Sequence, residues 1–534
     1  MTRYAMVADL DRCVGCQTCT AACRHANATS PAVQWRKVLD VELGSYPEVS
    51  RIFVPVGCQH CEDPPCMHVC PTTATRKRAD GIVTIDYDIC IGCAYCDVAC
   101  PYQARFKVSA PRFAYGGSPM QSEALRDDPR RIGVAQKCTF CADRIDAGLA
   151  SGLVPGVHPA ATPACVNSCI ADALSFGDTD DPDSKVSHLL RDHLHFRMHE
   201  ELGTAPNFHY LYDKHTQRPA AAPQAGAGPD AGAGDVRSKG VEPWHQQHWD
   251  WKAAANFLCG GAGSGLLVLA TATVPARGPF VALALASLAL IALGLSILMF
   301  KIGRPLRFLF VFRQPQRSWM SREAWIAALL FPLALVSLWL DSARMAGGVA
   351  LLALLFLISQ AMLVQASRGI PAWRSPRIVA LLVTTGLAEG AGLLAVFAAF
   401  VGSLGPLVYE PAVALIALTA IRWLAWRRYL GGLESDGAPL RTLEVLGRFG
   451  RHFLTWGIAI PLALAGLSLV VPQVREPLLA LAGLAALASG WAMKFVLITR
   501  AGYNQGYALR RVNASGLAGP AIRPGWASPA ARLQ

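Results

Sequence analysis

Residues 90–101 read Cys90-Ile91-Gly92-Cys93-Ala94-Tyr95-Cys96-Asp97-Val98-Ala99-Cys100-Pro101, a C-x2-C-x2-C-x3-C-P run. Three thiolates in one tight loop suit three corners of a cubane iron–sulphur cluster, and the fourth, ahead of the proline, reaches a partner cluster. Such a run requires a second with which to exchange its last ligand. The chain holds four. Cys13, Cys16, Cys19 and Cys23 repeat the spacing without the proline, and Cys58, Cys61, Cys66 and Cys70 repeat it with a longer second gap and with Pro71. The fourth is split: 23 residues containing several Gly and Pro separate Cys138 and Cys141 from Cys165 and Cys169, which reads as a loop inserted between ligands.

These are 16 of the 17 cysteines; Cys259 lies alone in an apolar run and reads as a small packing residue. Zinc takes four cysteines in paired C-x2-C hooks, but hooks do not explain triplets followed by x3-C-P. At four ligands each, the thiols predict four [4Fe-4S] clusters, a wire for single electrons with no open position for a substrate. The opening MTRYAMVADLDRC shows no secretory pattern, so the expectation is metal ligation in a reducing compartment, not disulfides. Strand-like segments at 52–56 and 81–85 predict an α+β double ferredoxin-like domain over 1–217, held together by its clusters.

Near residue 240 the composition changes. An Ala/Gly/Pro tract over 218–240 reads as a flexible linker. Beyond it, Trp244, Trp249 and Trp251 suggest a membrane-interface belt. Eight apolar segments follow, at 253–274, 279–300, 323–340, 347–366, 378–401, 408–425, 452–471 and 477–499, most of them long enough to cross a bilayer. The expectation is an all-α eight-helix transmembrane bundle over 241–511 and a polar tail over 512–534. After residue 240 there are 25 Lys and Arg against 10 Asp and Glu. These charges lie between apolar helices, not on one soluble face, which argues against nucleic acid. Assigned to alternate sides, nineteen positive residues including Lys252, Arg368, Arg422 and Arg500 fall with the cysteine-rich domain. Arg277, Arg344 and Arg475 fall opposite. The positive-inside rule then predicts an inner-membrane protein with its iron–sulphur domain in the cytoplasm.

The densest charge in this half is Lys301-Ile302-Gly303-Arg304-Pro305-Leu306-Arg307, followed by Arg317-Ser318-Trp319-Met320-Ser321-Arg322-Glu323. One reading is a positive-inside loop with a snorkelling tryptophan. The other is a quinone site, which needs donors at the quinone carbonyls, an apolar slot and a group that exchanges protons; Lys301, Arg307 and Glu323 are the candidates. Glu389 and Lys494 lie inside apolar segments, where ionisable residues mark a buried pair or a proton path.

On these motifs the first 210 residues resemble the four-cluster iron–sulphur subunit of the dimethyl sulfoxide reductase type of molybdenum enzyme. The remainder resembles its eight-helix membrane anchor, so the chain looks like a fusion of the two, similar to membrane-bound sulfite dehydrogenase. The resemblance implies that the first and fourth cysteine runs share two clusters and the second and third share two. Cys93 stands where one branch has tryptophan and a three-iron cluster, which implies four full cubanes here. The anchor family's quinol-site motifs match Gly303, Pro305, Arg307 and Ser318 to Glu323, including Trp319 and Arg322, but a family histidine is replaced by Lys301. A bis-pterin molybdenum or tungsten subunit is the implied catalytic partner, and ubiquinone or menaquinone the implied electron carrier. No haem is expected, because His452 alone cannot provide bis-histidine ligation. The expected function is electron transfer between that partner and the quinone pool, with quinone reduction from a cytoplasmic substrate such as sulfite. Alternatives are the quinol-oxidising anchor of a dimethyl sulfoxide-type terminal reductase, a phenylacetyl-CoA:quinone oxidoreductase subunit, and a membrane conduit without quinone chemistry. A transporter-like bundle would show inverted repeats; none is evident.

Overall fold

The computed structural model describes residues 2–31, 33–45, 48–212, 242–274, 276–401, 409–507, 509–512 and 518–522. The 218–240 linker and most of the 512–534 tail lie outside them. The chain divides into two units, Met1–Trp244 with Gln505–Gln534, and His245–Asn504.

In the first unit, strands β1 (Tyr4–Asp9), β2 (Arg36–Ser45) and β3 (Glu48–Gly57) precede β4 (Leu174–Asp178), β5 (His195–Phe196) and β6 (Phe208–Leu211). The main sheet has the order β4-β1-β6-β5, with β1 parallel to β6 and the outer pairings antiparallel. Met6 opposite Phe208 joins the first strand to a segment beyond the last cysteine run. The segment expected at 52–56 lies in β3, which pairs with β2 from Arg36↔Gly57 to Ser45↔Glu48. The segment at 81–85 contributes only Val83–Ile85, paired with Thr75–Lys77. Met6, Val54, Val56, Ile82, Phe140, Phe208 and Tyr210 are buried together with most of the cysteines. Because the thiols sit inside that core, metal binding and folding of the unit are coupled.

The second unit is helical: α1 (Trp251–Thr273), α2 (Arg277–Met299), α3 (Trp319–Leu340), α4 (Ala343–Gln365), α5 (Arg377–Val401), α6 (Glu410–Leu433), α7 (Leu440–Val470) and α8 (Arg475–Thr499). Among the described residues seven of these are long and apolar enough to cross a membrane. The exception is α6. At 24 residues it has the length, but Glu410, Arg422, Arg427 and Arg428 lower its hydropathy. Each predicted segment coincides with a helix, and most helices begin a few residues earlier. The largest differences are at α6, which runs on to Leu433, and at α7. The latter starts with an amphipathic stretch, Leu440–His452, and passes through a π-helical segment, Phe453–Ala459.

Small residues let the helices approach closely. A Cβ on Gly392 of α5 would lie 2.6 Å from the Gly483 carbonyl oxygen of α8. Cβ atoms on Gly265 of α1 or Gly390 of α5 would run into the backbone of the opposite helix. Bundles in lipid lack a hydrophobic drive between helices and associate through such contacts and through buried polar pairs.

Two sequence expectations are corrected here. Trp249 is not at an interface belt but buried, its ring stacked on Trp373 with centroids 5.3 Å apart. Arg422, counted with the charges on the side of the iron–sulphur domain, is buried within α6, where it donates to the Ala486 and Gly457 carbonyls.

Candidate functional site

The four cysteine runs share a local geometry. In each, the residue just before the second cysteine has a left-handed backbone: Gly15 (φ 71°), His60 (φ 42°), Gly92 (φ 69°) and Phe140 (φ 54°). This coils the loop so that backbone N–H groups face sulphur, as where the Phe140 N–H donates to Cys138 Sγ at 3.4 Å. Glycine adopts that conformation freely. His60 and Phe140 adopt it at a cost of about 1–3 kcal/mol each, and their rings stack on one another at 3.6 Å. Later ligands receive backbone donors as well, from Thr75 to Cys70 at 3.5 Å and from Ala173 to Cys169 at 3.2 Å.

The thiols fall into four neighbourhoods that cross between runs. Cys19 lies near Cys13, Cys165 and Cys169, and Cys13 near Cys16 and Cys169. Cys23 is surrounded by Cys138, Cys165 and Cys141, and Asn27 Nδ2 reaches Cys23 Sγ at 3.7 Å and Cys141 Sγ at 3.9 Å. Cys61 has Cys58, Cys66 and Cys100 as neighbours, while Cys96 has Cys93, Cys90 and Cys70. Cys23, Cys70 and Cys100, each the last of its run, thus stand with cysteines of another run, and Cys169 stands beside Cys13 and Cys19. Among the described residues no three His, Cys, Asp or Glu side chains converge as one bound metal ion requires.

Burial pushes the Cys19 thiol up to about 11 and those of Cys100 and Cys138 up to about 12. Thiols at neutral pH, they would become ligands only by releasing their protons to solvent as iron binds. The surroundings anticipate that charge. Arg36, Arg105 and Lys137 are all buried; Arg105 Nη2 donates to Cys66 Sγ at 2.8 Å. His60, accepting from the Val83 N–H at 3.1 Å, is held neutral by burial and by the Lys137, Arg36 and Arg105 charges. Buried cations without carboxylates of equal number fit anionic clusters in their midst.

In the helical unit the candidate quinone residues separate. Glu323, in the second turn of α3, is 2% exposed and faces inward, accepting from Gln360 Nε2 of α4 at 3.1 Å and Asn256 Nδ2 of α1 at 3.3 Å. Lys301 lies with Nζ 4.9 Å from the centre of the Trp249 ring. Arg322 stacks on Trp319 at 4.2 Å and donates to the carbonyls of Pro315 and Gln316, both at 2.7 Å, fixing the loop ahead of α3. Gly303 and Arg307 are half-buried in that loop. Glu389 of α5 and Lys494 of α8 form an ion pair at 2.6 Å, both buried, and Lys494 also donates to the Phe257 carbonyl of α1 at 3.0 Å. Arg422 donates to the Ala486 carbonyl at 3.0 Å and to that of Gly457 in the π-helical segment. Asn256, Gln360 and Arg422 escaped the sequence reading. Their signal was the rule applied to Glu389, polarity inside an apolar run.

The family described as 4Fe-4S dicluster domain matches residues 49–114. One subunit of the selenate reductase of Mesobacillus selenatarsenatis is 40% identical over 225 residues, 39% of this chain and 72% of that protein. One subunit of the sulfite dehydrogenase of Allochromatium vinosum is 38% identical over 234 residues, 41% of this chain and 86% of that protein. The Hdr-like menaquinol oxidoreductase iron-sulfur subunit 1 of Archaeoglobus fulgidus is 36% identical over 236 residues, 39% of this chain and 82% of that protein.

Proposed function

The chain belongs to the family of iron–sulphur subunits represented by these relatives from selenate reductase, sulfite dehydrogenase and menaquinol oxidoreductase, and on that premise we propose that it is the electron-transfer and membrane-anchor subunit of a molybdenum or tungsten bis-pterin oxidoreductase. The observation that carries this reading is the union, in one chain, of crossed thiol groups with a set of membrane-length apolar helices. A soluble wire needs no such helices. A wire that ends in lipid delivers electrons to something dissolved there, and a quinone is that carrier.

In this reading Cys13, Cys16, Cys19 and Cys169 hold one cluster, and Cys23, Cys138, Cys141 and Cys165 a second. Cys58, Cys61, Cys66 and Cys100 hold a third, and Cys70, Cys90, Cys93 and Cys96 a fourth. Bound there, each [4Fe-4S] group carries one electron at a time. The primary substrate is transformed on a separate molybdopterin subunit. All eight helices span the inner membrane, α6 included, with its charged last turns in the cytoplasmic headgroups. The iron–sulphur unit is cytoplasmic; without Arg422 the charge asymmetry is eighteen to three. The loop from Lys301 to Glu323 forms the quinone site, where Lys301, Gly303, Arg307, Trp319 and Arg322 line the slot. Glu323 exchanges the proton that accompanies quinone reduction. The direction is toward quinone, from a cytoplasmic substrate such as sulfite.

The test is purification from native membranes, with mass spectrometry for the large subunit, pterin and quinone. A bis-pterin subunit and bound quinone are expected. A complex without either refutes the proposal.

A further inference from the structure

Arg36 and Arg105 occupy equivalent places in the two cluster pairs. Arg36 is fully buried; Nη2 donates to Met6 Sδ at 3.0 Å and the guanidinium lies 4.8 Å from the centre of the Phe208 ring. Its Nε and Nη1 have no hydrogen-bond partner. The acidic groups that act on it most strongly are the thiols Cys165, Cys138 and Cys19, drawn from two neighbouring groups. Arg105 is 1% exposed, donates from Nη1 to Thr75 Oγ1 at 3.0 Å and from Nη2 to Cys66 Sγ, and has Cys66, Cys96, Cys58 and Cys100 around it, again from two groups.

A guanidinium with two orphaned donors is not left in a protein core without an acceptor, because each unmet donor forfeits the hydrogen bond it made in water. The acceptors on offer are cluster sulphurs on either side. A cluster becomes more negative on reduction, so a fixed cation beside it favours the reduced form, and hydrogen bonds to sulphur act in the same sense. Simple packing would be served by an apolar side chain of similar length at no desolvation cost.

We propose that Arg36 and Arg105 set the potentials of the wire, one guanidinium lying between the two clusters of each pair and raising both. This rests on the four-cluster ligand assignment above, so the two must be tested apart. Iron content and the count of reduced cluster spins in the full complex address the assignment, and a total short of four cubanes defeats it whatever the arginines do.

The arginines are tested by redox titration followed by electron paramagnetic resonance in membranes carrying the complex. Arg36→Met is expected to disfavour reduction at least tenfold, 59 mV for a one-electron couple, at the clusters of Cys19 and of Cys138 and Cys165. The other two should stay in place. Arg105→Met should give the converse pattern, and Arg36→Lys, which keeps the charge, should fall between wild type and Arg36→Met. Unchanged potentials with full iron content overturn the proposal. If the Met variants fail to load iron, pulsed resonance on the wild-type complex grown with isotope-labelled arginine decides. A guanidinium nitrogen coupled to the reduced clusters is expected, and its absence overturns the proposal equally.

Discussion

Glu389 and Lys494 illustrate how much a single residue commits the bundle to its neighbours. Both are buried and bonded at 2.6 Å, and Gly490 and Gly261 leave the space that the two side chains fill. Removing one partner strands a charge, so Glu389→Gln or Lys494→Leu should each destabilise the detergent-solubilised protein by about 3–5 kcal/mol. The double variant should recover most of that loss, as thermal unfolding would read. Glu323 poses a different case. A glutamine in its place could still accept from Asn256 and Gln360 but could not carry a proton. Glu323→Gln is therefore expected to leave melting unchanged and slow quinone reduction about 100-fold or more in a stopped-flow assay with a quinone analogue. In the other unit, burial and then the charges of His195 and Arg197 lower His209 to about 3. Below about pH 6.5 the unfolded chain binds a proton that the folded chain refuses, so stability falls by about 1.4 kcal/mol per pH unit. His209→Gln should flatten that fall, measured as the urea midpoint for cluster bleaching between about pH 6.5 and 5. The sequence announced Glu389, Lys494 and Glu323 by their charge. Asn256 and Gln360, the amide partners of Glu323, stood out only as polar residues inside apolar runs, and their role emerges when α1, α3 and α4 are brought together.

At the scale of elements, periodicity in lipid is simpler than in water, and the eight apolar segments appear as helices with small shifts. Where the reading slipped, at α6, the cause is physical. The apolar run ends at residue 425, ahead of Arg427 and Arg428, but a helix need not end where its apolar run does, and this one continues to Leu433 while burying Arg422 against the Ala486 and Gly457 carbonyls. The π-helical segment in α7 had a local signal that went unread: Pro461, four residues after Gly457, has no N–H to give the Gly457 carbonyl, which accepts from Arg422 instead. The close approach of α1 and α5 was likewise latent in Gly265, Gly386 and Gly390, residues that could as easily mark flexibility. A side chain at Gly390 meets Gly265 backbone, which cannot swing aside. Gly390→Leu should force the two helices apart, costing about 1–3 kcal/mol and misplacing Glu389 next to it. The expected readout is a lower melting temperature and less protein accumulated in the membrane. Gly431→Ala, on an open stretch of α6 with no atom within 4 Å of the added methyl, should leave both unchanged or raise melting slightly. A loss of similar size at both positions would mean that helix approach is not what the glycines serve.

For the whole molecule, the cysteine spacing marks the candidate ligands but not their relative protection, which depends on how the first unit folds around them. Cys16 is exposed and Cys13 and Cys169 half-buried, whereas the other three groups each present a single half-buried thiol, Cys141, Cys100 or Cys93, among buried ones. The Cys16 thiol is also drawn down by hydrogen bonds from Thr18, so once released it is the most reactive of the sixteen toward oxidants. Attack by a chelator or oxidant should therefore begin at the group of Cys13, Cys16, Cys19 and Cys169. Mild ferricyanide treatment is expected to remove about a quarter of the iron first, the content of one cubane among four, with one spin signal lost and the rest intact. Because that group contains Cys19, a neighbour of Arg36, the surviving cluster of the same pair should shift in potential while the other pair does not. Continued loss should then unfold the first unit, whose core is built on its thiols, while the helices, packed through their own glycines and ion pair, keep their circular dichroism. Simultaneous bleaching of all the iron would show that the unit protects its clusters as one cooperative body, and that local exposure decides nothing.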